Sequence, residues 1–77
     1  MIEIGRRLGE RRRELGLSLS GLAQRCGVSL QQVHKYERAQ SVVSAPMLFH
    51  LSRCMDVPIT FFFDGVEGAH EKPPTRG

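Results

Sequence analysis

The sequence predicts an all-α fold, a single compact domain of five short helices over residues 1–65, on three observations. Apolar residues recur at spacings of three and four, with no strand-like alternation of four or more residues between them. Glycine and serine stand where these runs should stop and start. Seventy-seven residues is one small domain, near the lower limit for burying a core without staples, so most apolar residues are committed to packing.

In the first segment Ile4, Leu8, Arg11 or Arg12, and Leu15 recur on one face, and Gly16 follows as a stop. Ser18 opens the second, where Leu19, Leu22, Ala23 and Cys26 form the apolar face and Gly27 supplies a residue that tolerates left-handed backbone. Ser29 opens the third with Gln32 three residues on. That spacing predicts a capping box, in which the serine oxygen meets the amide of residue 32 and the glutamine side chain returns to residue 29. Val33 and Tyr36 are its inner face, whereas Gln31, Gln32, Lys35 and Arg38 share the other.

The fourth segment begins after Ser44, accepts Pro46 in its first turn, and is expected to bury Leu48, Leu51, Met55 and Met47. The fifth runs from about Pro58 to Phe63, with Ile59, Phe62 and Phe63 closing the core and Phe61 turned toward solvent. Residues 66–77, rich in Gly, Pro and charge, read as a disordered tail.

A domain of this size seldom spares the concave site of roughly 300 to 1,000 Å³ that an enzyme pocket needs. No Ser-His-Asp set, phosphate-cradling glycine loop or working carboxylate pair can be assembled; Glu10 and Glu14 are an exposed pair on a basic helix. The histidines His34, His50 and His70 share no metal-ligand spacing with the cysteines or each other, so neither metal nor cofactor is expected. Cys26 and Cys54 lie 28 apart without a CxxC partner or a recognisable signal peptide, which favours a reduced intracellular thiol pair over a disulfide. The N-terminus turns charged within six residues and VPITFFF is far too short to span a bilayer, so a cytoplasmic protein is expected.

The net charge of +3 is uneven. Residues 1–38 carry eight Lys/Arg against four Glu, a net of +4, and residues 39–77 carry three against four acids, a net of −1. The basic half is where a polyanion would bind. A second segment, a turn on Gly27 and a third segment have the layout of a helix-turn-helix, whose second helix enters the DNA major groove.

The stretches IGRRLGERRRELGLSLSGLAQRCGVSLQQVHKYERAQ and MLFHLSRCMDVPITFFFDG, within residues 4–65, resemble the phage Cro and repressor (Xre-like) helix-turn-helix family. The resemblance implies a lambda-repressor-like domain that binds double-stranded DNA and regulates transcription. Carried over by position, it implies base contacts from Leu30, Gln31 and Lys35, joined from the flanks by Gln32 and His34. Each side chain has a physical use: glutamine pairs with adenine, lysine donates to guanine, and an apolar group packs on a thymine methyl. Ser18, Ser20, Ser29, Arg38 and Gln40 match positions near the DNA backbone. The family also often pairs the positions of Arg12 and Glu37, tying the first helix to the end of the third.

Departures from the family pattern support a second reading. Leu19 stands where the family usually has glutamine and Gly21 where it has glutamate; Ala39 replaces a glycine, and Val42 and Val43 occupy a loop that is usually polar or basic. Fewer cations there imply weaker binding with a shallower salt dependence. The two valines suggest a protein contact instead, as in a protein-interaction module or the regulatory component of a two-protein system. Because one short helix reads few base pairs, a homodimer on half-sites is expected, with Phe61 and the fourth and fifth segments as the candidate contact.

Overall fold

The computed structural model describes residues 2–63, and these form four α-helices and a closing 3-10 turn, with no strand among the described residues. The helices are α1 (Ile2–Glu14), α2 (Leu19–Cys26), α3 (Leu30–Glu37) and α4 (Ala45–Cys54), and the turn is Ile59–Phe63. The expected fifth helix is therefore a single 3-10 element. Its five residues follow Pro58 and are too few for a cooperative α-helix. The tail expected to be disordered, residues 66–77, lies outside the described residues.

Three serines start three helices. Ser18, Ser29 and Ser44 each have extended backbone, and their hydroxyls accept from the amides of Gly21, Gln32 and Met47 at 2.9, 3.0 and 3.2 Å. Each such cap contributes about 1 kcal/mol. The box expected at Ser29 is only half built, because the Gln32 side-chain amide donates instead to Ser41 Oγ at 3.2 Å.

All four helices end in the same way. The amides of Leu17, Val28, Gln40 and Val57 reach back five residues to the carbonyls of Arg12, Ala23, Lys35 and Ser52, the longer bond of a Schellman closure. The left-handed residue this requires is Gly16, Gly27, Ala39 or Asp56, with φ of 72°, 68°, 59° and 58°. Aspartate visits that region more readily than most residues. Alanine has no such compensation, so Ala39 is the strained member of the set.

The core gathers Ile4 and Leu8 of α1, Leu22, Ala23 and Cys26 of α2, Val33 and Tyr36 of α3, Leu48 and Leu51 of α4, then Met55 and Phe62. Met47 and Phe63, expected inside, are only partly buried against it. Phe61 is partly buried too, and does not face solvent as expected: the Arg7 guanidinium lies 4.1 Å over its ring, and Arg7 Nε donates to its carbonyl at 3.0 Å. A long cationic side chain can cover an aromatic face in this way while keeping its charge wet.

α1 packs on α3 at unusually close range. A methyl group at Gly5 would stand 2.5 Å from the Tyr36 carbonyl oxygen and 2.8 Å from that of Glu37. Gly9, four residues on, faces the Glu37 carboxylate. The glycines at this spacing form a notch that lets the end of α3 sit against α1.

Cys26 and Cys54 are joined in a disulfide, contrary to the reduced pair expected from their spacing and the lack of a recognisable signal peptide. Separation along the chain says nothing about where helix ends meet: α2 and α4 bring these two Cα atoms to 5.8 Å, inside the range a bridge requires. Closing a loop of 28 residues restrains the unfolded chain by about 3 to 4 kcal/mol in the chain-entropy account.

Candidate nucleic-acid interface

α2, the turn at Gly27 and α3 form the helix-turn-helix. Leu22 and Ala23 face Val33 within the core, and the left-handed Gly27 with the Val28 amide bonded to Ala23 sends the chain into α3. Burial of Val33 and Tyr36 fixes which side of α3 looks outward. On that side Leu30, Gln31, His34, Lys35 and Arg38 are all exposed. Among the described residues, none of the side chains of Gln31, His34, Lys35 and Arg38 has a hydrogen bond or an ion pair.

Gln32 differs from its neighbours. It is partly buried, and its amide nitrogen is spent on Ser41, so it ties the loop after α3 to the helix. Its carbonyl oxygen is still available as an acceptor.

Ser18 and Ser29 are exposed, and each hydroxyl accepts from a helix amide, which leaves its own O–H to donate outward. The first amides of α3, those of Leu30 and Gln31, precede the hydrogen-bonded turns and point off the helix start. Ser20 and Gln40 are exposed, flanking the two helices.

Charge distribution separates this surface from the rest of the molecule. Between residues 15 and 55 the sequence contains one acid, Glu37, alongside Arg25, Lys35, Arg38 and Arg53. Glu37 is turned away from the outer face of α3: Arg12 Nε and Nη2 donate to its two carboxylate oxygens at 2.7 and 3.1 Å. With 15% and 12% of the side chains exposed, the pair is largely desolvated. Arg12 Nη1 also donates to the Leu17 carbonyl at 3.0 Å, so one guanidinium holds the end of α3 and the turn after α1 together.

Most arginines of α1, counted in the basic half of the sequence, do other work, and only Arg13 is exposed without a hydrogen bond or ion pair among the described residues. Arg6 lies between Glu3 and Glu10, Arg7 engages Glu10 and Phe61, and Arg11 donates to the Met55 carbonyl that ends α4. Sequence charge overstated what α1 could offer a polyanion, because these cations are matched to nearby acids and helix ends. The positions that depart from the family pattern also resolve differently. Leu19 packs against the core, Val43 is partly buried there rather than exposed, and Val42 alone projects, at 82% exposure.

Gly5 and Gly9 went unnoticed in the sequence although they set the depth at which α3 seats on α1. Their spacing of four on a helix, one face of small residues, was the available signal. Among the described residues, no three His, Cys, Asp or Glu side chains gather as a metal site, and no helix is long and apolar enough to cross a membrane.

Comparisons with known proteins agree with this geometry. A family model described as a helix-turn-helix domain matches residues 3–57. A protein of Rhodospirillum rubrum named as an uncharacterized transcriptional regulator in the ATPase CF(0) region is 42% identical over 64 residues, which cover 83% of this chain and 59% of that protein. An uncharacterized HTH-type transcriptional regulator of Sinorhizobium medicae is 37% identical over 67 residues, 87% of this chain and 48% of its own length. The chain thus spans about half the length of these curated relatives. Among solved structures, the restriction-modification controller protein C.AhdI of Aeromonas hydrophila superposes with a TM-score of 0.76 at 32% identity, over 80% of this chain and 94% of that one. An HTH_3 family transcriptional regulator of Vibrio cholerae gives 0.77 at 28% identity, over 82% and 35%.

Proposed function

Because the chain belongs to the Cro/repressor-like (Xre-like) helix-turn-helix family, we propose that it is a sequence-specific double-stranded DNA-binding transcription regulator, acting as a repressor and reading the major groove with α3. The observation that carries this reading is the outer face of α3, where exposed, unpartnered Gln31, His34, Lys35 and Arg38 stand together while the sole nearby acid is folded inward against Arg12.

In this reading Gln31 and Lys35 bond to base edges, Leu30 packs on a thymine methyl, and His34 and the free oxygen of Gln32 contribute from the flanks. Ser18, Ser20, Ser29, Arg38 and Gln40, with the first amides of α3, meet phosphates and set register. Arg12 and Glu37 touch no DNA; they hold α3 at its angle to α1. No catalytic step is involved, and the protein works beside the chromosome, in the cytoplasm.

An eight-residue helix reads only a few base pairs, so the protein binds as a homodimer to two half-sites about one helical turn apart. Phe61 is partly buried with Arg7 over one face of its ring, which leaves it less area for that contact. On α4 the large exposed apolar side chain is Phe49, at 52% even with the Arg53 guanidinium 5.6 Å from the centre of its ring, and it supports a dimer through this part of the molecule.

A protein-interaction module is the second reading, favoured by Val42 beside the recognition helix at 82% exposure. Selection of bound duplexes from a random DNA pool separates the two. Enrichment of a pseudo-palindrome is the outcome expected for a DNA-reading dimer, and no enrichment even at low salt would sink the DNA-binding reading.

A further inference from the structure

The bridge between Cys26 and Cys54 sits at a mechanically sensitive place. Cys26 is the last residue of α2, immediately before the left-handed Gly27 that turns the chain into α3, and Cys54 is the last residue of α4. The loop they close contains the whole recognition helix.

Two hydrogen bonds align the same helix ends without the bridge. Arg25 Nε donates to the Cys54 carbonyl at 2.7 Å, and His50 Nε2 lies 2.6 Å from the Cys26 carbonyl, which makes Nε2 the protonated ring nitrogen. Cys26 belongs to the same buried core as Leu22, Leu48 and Leu51, and Cys54 packs against it. The two thiols of a reduced chain would thus still be held within reach of each other. The two cysteines also differ in burial: Cys26 is 4% exposed, whereas Cys54 is partly exposed, which favours Cys54 as the first to meet an incoming thiol or disulfide.

We propose that Cys26 and Cys54 form a reversible oxidation site, in which thiol–disulfide exchange sets how firmly the helix-turn-helix is held to α4 and thereby tunes DNA binding. The inference rests on the DNA-binding reading in two respects: it places the protein in a compartment where a stable bridge is uncommon and a reversible one serves sensing, and it supplies the last readout below. The co-reactant is a low-molecular-weight disulfide. The Cys54 thiolate attacks one of its sulfurs, forming a mixed disulfide and releasing one thiolate, which takes up a proton. The Cys26 thiolate then attacks the Cys54 sulfur, forming the internal bond and expelling the second thiol. Two electrons pass from the protein thiols to the external disulfide, and an excess of thiol reverses both steps.

The test uses the full 77-residue chain in glutathione buffers of stepped reduced-to-oxidised ratio, with free thiols trapped by alkylation and counted by mass. The expected result is passage from two free thiols to none across those ratios. A bridge that persists at the most reducing ratio, or never forms at the most oxidising, would overturn the proposal. Thermal melting of the two forms should differ by about 12 to 30 °C, as expected for loss of a bridge closing a loop of this size in so small a domain. Identical melting and identical hydrogen exchange across α3 and α4 would also overturn it. On a selected duplex at 37 °C the oxidised form should bind about threefold or more tightly, because a smaller competent fraction raises the apparent Kd, and the doubly substituted Cys26→Ala, Cys54→Ala chain should ignore the buffer. Cys54→Ser alone, at the less buried position, repeats that control if the double variant folds poorly. Equal DNA affinity of both forms would overturn the link to binding. Redox conversion with no DNA binding in either form would instead support the oxidation site and sink the DNA-binding reading.

Discussion

Arg12 of α1 grips Glu37 at the end of α3 with two parallel hydrogen bonds, and a third bond from the same guanidinium reaches the Leu17 carbonyl. The planar fork of arginine suits this carboxylate as lysine could not. Three parts of the chain meet there: α1, the turn before α2, and the helix proposed to read DNA. The pair also removes the one acid of residues 15–55 from the outer face of α3.

Breaking the pair should therefore show strong coupling. Arg12→Ala and Glu37→Ala are each expected to destabilise the domain by about 1 to 3 kcal/mol, since each leaves a largely desolvated charge without its partner. The double variant should lose clearly less than the sum, by about 1 kcal/mol or more. Urea unfolding of the four proteins measures this, and additive losses would mean the two charges act independently.

Gly5→Ala is expected to cost about 1 to 3 kcal/mol, because the added methyl meets backbone carbonyls of α3 that cannot swing aside. Gly9→Ala should cost less, its neighbours being the ends of the Arg13 and Glu37 side chains. Equal effects, or a gain from helix propensity at Gly5, would show that α1 and α3 are not this close.

Ala39→Gly should stabilise by about 1 kcal/mol, since glycine removes the steric penalty of left-handed backbone at φ 59°. For a domain of this size that is a rise of roughly 4 to 8 °C in Tm. A fall in Tm would mean the closure of α3 is built differently.

On DNA, Gln31→Ala and Lys35→Ala should change which sequences are selected, with losses of about 1 to 3 kcal/mol at the affected positions. Arg38→Ala should weaken all sequences alike and reduce the salt slope by about 1. Binding titrations on matched and mismatched duplexes at several salt concentrations distinguish these patterns. Uniform weakening by all three variants would show that Gln31 and Lys35 do not contact bases.

Much of this architecture was legible in the residues. Ser18, Ser29 and Ser44 mark helix starts because capping is a local event, decided within four residues, and Gly16 and Gly27 mark ends for the same reason. The inward faces of α2 and α3 followed from spacing, as periodicity alone determines which side chains share a helix face. The partial burial of Phe61 has the opposite origin. In a 3-10 turn the period differs, and the Arg7 that covers its ring comes from 54 residues away.

By itself, then, the sequence determined the helical segments, their caps and the polar face that α3 presents, all of which depend on neighbours within a turn or two. Only the tertiary structure decided that Arg7 reaches Phe61 and Arg11 the end of α4, that Gly5 and Gly9 seat α3, and that Cys26 meets Cys54. These are contacts between residues distant in the chain. Which of them form is settled by how the helices pack around Leu8, Leu22 and Phe62, and no local pattern records that choice.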